Sequence, residues 1–72
     1  MTIKDIIANK LIEKRTGKEL TQQQVADMIK VSRSAYSFYE TGKKAPKIET
    51  LIKIADFYDI SVDYLIGRYD KK

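Results

Sequence analysis

Residues 22–41 read QQQVADMIKVSRSAYSFYET, and the fold turns on how this stretch divides. Thr21 lies just upstream and Gln24 follows three positions later, so T-x-x-Q forms a capping box that starts a helix with Val25, Ala26 and Ile29 on its inner face. Ser32 is already a good N-cap for the next segment, 33–40, so the first helix must end near Lys30, after about nine residues. Two short helices joined by a turn of about three residues make a helix-turn-helix and not an antiparallel hairpin.

Upstream, Ile3, Ile6, Ile7 and Leu11 follow helical spacing over 3–15, and Gly17 offers a C-terminal stop. Downstream, Thr41-Gly42 closes the third helix, and 43–47, with Pro46, forms a loop. Ile48, Leu51, Ile52, Ala55 and Tyr58 mark a fourth amphipathic helix ending near Asp59. Ser61 caps a short fifth, with Asp63 in its first turn and Leu65 and Ile66 inward until Gly67. No stretch alternates like a strand, and there are no repeats. The pattern predicts an all-α, compact five-helix domain over 1–68, with the helix-turn-helix at helices two and three, and a short C-terminal tail at 69–72.

A chain of 72 residues buries only about 60% of its unfolded surface, which leaves little room for an enclosed active-site cavity. The absence of Cys and His removes disulfides, zinc fingers and imidazole bases together. No metal, cofactor or small-molecule ligand is expected, and no two candidate catalytic groups share an apolar setting, so the chain does not read as an enzyme. Residues 1–10 alternate charge with Ile and lack an apolar signal core, and no run approaches a membrane span, so a cytoplasmic protein is expected. The net charge of +4 is unevenly placed. Residues 30–47 carry Lys30, Arg33, Lys43, Lys44 and Lys47 against Glu40, whereas 48–66 carry Lys53 against Glu49, Asp56, Asp59 and Asp63. A polyanion-binding face with a solvated back has this form, although an ordinary basic surface would match the charge alone equally well.

Residues 22–41, together with LTQ at 20–22, VSRS at 31–34, YETGK at 39–43, PKIETLIKIA at 46–55 and ISVDYLIG at 60–67, resemble the Cro and phage-repressor helix-turn-helix family, also called the XRE type. The resemblance spans nearly the whole chain and implies a lambda-repressor-like fold. It also implies a sequence-specific double-stranded DNA-binding transcriptional regulator, a repressor, whose third helix reads the major groove. On that pattern Arg33, Ser34, Ser37 and Phe38 face base edges. Arg33 can donate two hydrogen bonds to guanine O6 and N7, unless it meets phosphate alone. Phe38 replaces a usually polar residue; it either lies against thymine methyl groups or tucks back beside Tyr36. Gln22, Gln23, Thr41, Lys43, Lys44 and Lys47 would contact phosphate, with Gln23 also bracing Gln22, unless the lysines are merely solvated. Arg15 and Glu40 match an ion pair that ties helix one to the recognition helix and orients it. Ala26 is small where the two helices cross, and Val25, Ile29, Val31, Tyr36 and Tyr39 supply the core around it.

Two further positions depart from the family pattern. Lys30 stands where a turn glycine is preferred, and Lys47 where a Ser or Thr would cap the fourth helix. One short recognition helix reads few base pairs, so a homodimer on a (pseudo)palindromic operator is expected. Phe57, Ile60, Tyr64 and Leu65 exceed what one small core needs and form the expected dimer interface. The alternative is an antitoxin-like DNA-binding protein that holds a protein partner through exposed Met28 or the C-terminal helix.

Overall fold

In the computed structural model, which describes residues 1–68, five helices follow one another: α1 (Ile3–Gly17), α2 (Gln22–Met28), α3 (Arg33–Thr41), α4 (Ile48–Tyr58) and α5 (Val62–Leu65). There is no strand among the described residues, so the chain has the all-α, five-helix architecture its periodicity predicts. No helix among them is long and apolar enough to cross a membrane. The expected tail, 69–72, lies outside the described residues.

Local side chains start most of the helices. Thr21 and Gln24 form the capping box that opens α2, and Thr2 and Asp5 form a second at α1 that the sequence reading passed over. Ser32 and Ser61 accept hydrogen bonds from Ala35 N and Tyr64 N, both at 3.0 Å, and so cap α3 and α5. Lys47 starts α4 with no side-chain cap, as its side chain requires, since an ammonium has no lone pair to accept an N–H.

The helix ends share one closure. A residue in the left-handed region, at Glu19, Lys30, Gly42, Asp59 and Gly67, turns the chain, and the next amide reaches back five residues to a carbonyl. These bonds are Leu20 N to Arg15 O (3.1 Å), Val31 N to Ala26 O (3.0 Å), Lys43 N to Phe38 O (3.0 Å), Ile60 N to Ala55 O (2.9 Å) and Arg68 N to Asp63 O (2.7 Å). Lys30, at φ 63°, therefore does stand in the strained turn position. Gly17 is not the stop expected of it: α1 runs through Gly17, and Glu19 makes the turn.

Ile7, Leu11, Val25, Ala26, Ile29, Tyr36, Leu51, Ile54, Tyr58 and Leu65 form one core. α3 lies against α1 and α2, and α5 packs back on α1 and α4. Ala26 is fully buried, and Val31 and Tyr39 pack at the edge of the core. Two expectations are corrected. On α4 the inner stripe is Leu51, Ile54, Ala55 and Tyr58, while Ile48 and Ile52 are 59% and 48% exposed. Apolar residues occur nearly all round that helix, and periodicity alone cannot choose the stripe that faces the core. Leu65, expected at a dimer interface, is 0% exposed within its own chain and belongs to the core.

Candidate nucleic-acid interface

α3 is divided lengthwise. Its inner residues Tyr36 and Glu40 are buried, whereas Arg33, Ser34 and Phe38 are exposed and Ser37 is half-buried beside them. A helix with a bound inner face and an open polar outer face can lay that outer face against a ligand without unfolding anything.

The inner face is fixed by one carboxylate. Glu40, only 7% exposed, receives donors from three helices. Arg15 on α1 gives Nε to Oε2 at 2.6 Å and Nη2 to Oε1 at 3.1 Å, a two-pronged pair, while its Nη1 donates to Leu20 O at 2.9 Å. Gln22 on α2 donates Nε2 to Oε1 at 3.0 Å, and Tyr36, one turn before Glu40, donates its hydroxyl to Oε2 at 2.6 Å. Burial pushes the Glu40 carboxyl upward, but the hydrogen bonds from Arg15, Tyr36 and Gln22 outweigh it and hold the group below the usual carboxylate range. The Tyr36 phenol is pushed the other way, first by burial and then by its bond to Glu40, so it stays a donor. The Arg15 and Glu40 expected to pair do meet; Tyr36 and Gln22 join them, although the sequence reading placed one in the core and the other on a phosphate.

The remaining named residues lie as follows. Gln22 is half-buried with its amide turned to Glu40. Gln23 does not brace it, because its amide bonds Asp27 Oδ1 at 2.8 Å, the i, i+4 neighbour on its own helix. Thr41 donates its hydroxyl to Phe38 O at 3.2 Å. Phe38 does not tuck beside Tyr36, whose ring pairs edge-on with Tyr39 at 6.4 Å. It lies outside instead, 36% exposed, with the ammonium groups of Lys43 and Lys44 at 5.8 and 5.4 Å from the ring centre. Lys47 is exposed at the start of α4. Phe57 and Ile60 pack partly against the core, and Tyr64 is half-buried with Lys10 Nζ over its ring at 4.4 Å. Among the described residues no three acidic, His or Cys side chains come together as metal ligands.

Comparison with known proteins agrees with this geometry. A family model described as Helix-turn-helix matches residues 11–65. The chain is 44% identical over 69 residues to the cryptic phage CTXphi transcriptional repressor RstR of Vibrio cholerae, covering 96% of this chain and 58% of that protein. It is 46% identical over 58 residues to the transcriptional activator BcrR of Enterococcus faecalis, covering 81% of this chain and 28% of that one. A crystal structure of a transcriptional regulator from Listeria innocua superposes with a TM-score of 0.82 at 29% identity, over 92% of this chain and 61% of its own. The chain thus spans little more than half, or less, of the curated relatives named here.

Proposed function

Because the chain belongs to the helix-turn-helix family, we propose that it is a sequence-specific double-stranded DNA-binding transcriptional regulator that sets the outer face of α3 into the major groove. The observation that carries this reading is the division of α3: an inner face held by Glu40, and an outer face of Arg33, Ser34, Ser37 and Phe38 beside the lysines of the following loop. On this reading Arg33 reads guanine, Ser34, Ser37 and Phe38 complete the base contacts, and Lys43, Lys44 and Lys47 neutralise phosphates. Gln22 and Thr41 approach the backbone with side chains already bonded within the protein.

The kinship with a phage repressor supports repression, which would act by occlusion of a promoter, and residues 1–68 would be the DNA-binding domain of a cytoplasmic, non-enzymatic protein. α3 has nine residues, about 14 Å at ~1.5 Å per residue, so it reads only a few base pairs, and a homodimer on a (pseudo)palindromic operator doubles the site. Phe57, Ile60 and Tyr64, all half-buried, would make that contact; Leu65, fully buried, would not.

Selection of bound duplexes from a random pool tests the reading and should return one recurrent site. Arg33→Ala should then weaken binding to that site by about 1–3 kcal/mol while changing binding to random DNA much less. A pool that yields no preferred sequence overturns the proposal, and an equal loss on both DNAs reduces Arg33 to a phosphate contact.

A further inference from the structure

Phe38 is the outlier on the outer face of α3. Its neighbours there, Arg33, Ser34 and Ser37, can all donate hydrogen bonds, whereas a phenyl ring cannot donate or accept one in the plane of a base edge. The ring is not absorbed into the core, since Tyr36 and Tyr39 pair with each other behind it. Two ammonium groups, of Lys44 and Lys43, lie 5.4 and 5.8 Å from its centre. An apolar ring with two cations close by fits a surface that is apolar at one point and anionic near it. In the major groove that description belongs to the C5-methyl group of thymine, the only apolar substituent on any base edge there, with backbone phosphates nearby.

We propose that Phe38 is a specificity-determining residue that reads a thymine 5-methyl group, while Lys43 and Lys44 leave its ring faces for the adjoining phosphates. This rests on the placement of α3 in the major groove. Binding then depends on a methyl group and not on a donor or acceptor pattern at that base pair.

Replacing thymine by deoxyuridine removes the methyl group and leaves every hydrogen-bonding group in place. Each thymine of the selected site is substituted singly, and affinities are measured for the wild type, Phe38→Ala and Phe38→Gln. The wild type should lose about fourfold at one thymine of each half-site, the equivalent of about 0.8 kcal/mol for one buried methyl group. Neither variant should show that loss, although both should bind the unmodified site more weakly. Phe38→Gln keeps a good helix former of similar length and so carries the comparison if Phe38→Ala loses structure by circular dichroism. A flat uracil scan in the wild type, a selected site without thymine, or the same loss in the variants overturns the role of Phe38. A selection that returns no recurrent sequence instead removes the DNA-binding reading on which it rests.

Discussion

Glu40 shows how much one buried carboxylate can hold. Its partners come from α1, α2 and α3, so removing its charge loosens all three together. Glu40→Gln should destabilise the protein by about 1.5–3 kcal/mol, the range for hydrogen bonds to a charged group, measured by urea denaturation. The pH dependence has a definite sign. The carboxyl of the folded protein lies below its ordinary value of 4.5, so its contribution is complete above that value and is lost as the pH falls through the lower folded one. The stability gap between wild type and Glu40→Gln should therefore be constant from about pH 8 to 5 and shrink in more acidic solution. A gap that widens toward acid would contradict the depressed carboxyl. The ion pair with Arg15 was legible through family resemblance, but the Tyr36 and Gln22 donors were not. A buried Tyr reads from sequence as apolar filling, because periodicity registers its ring and is blind to where its hydroxyl points.

At the scale of elements, the boundaries were the most readable part, since caps and turns are settled within a few residues. Thr21, Ser32 and Ser61 are small acceptors ahead of apolar periodicity, and each opens a helix. What escaped were choices made by packing: the inner stripe of α4, and the left-handed turn at Glu19, which nothing in that residue type announces. Lys47 is where local and functional demands on an element diverge. Lys47→Ser should raise stability by about 0.5–2 kcal/mol in thermal melts, because the serine oxygen satisfies an unpaired N–H at the start of α4. The same substitution should weaken DNA binding and lower the slope of log affinity against log salt by about 0.9, the share of one phosphate contact. A more stable variant with an unchanged slope would remove Lys47 from the DNA interface.

For the whole molecule, apolar surplus was a poor guide to assembly, because a core this small still consumes Leu65 completely. Leu65→Ala should cost about 2–5 kcal/mol through the cavity it leaves, while its melting temperature keeps the wild type's dependence on protein concentration. A melting point that rises with concentration in the wild type and not in the variant would return Leu65 to an interface. The lengthwise division of α3 has a further consequence. The side chains that anchor this helix to its neighbours, Tyr36 and Glu40 foremost, sit behind it, away from Arg33, Ser34, Ser37 and Phe38 in front. Such a scaffold can change the address it reads by single substitutions without passing through misfolded intermediates. Duplicate copies in one cell could diverge until each ignores the other's targets, while their backbones stayed superimposable.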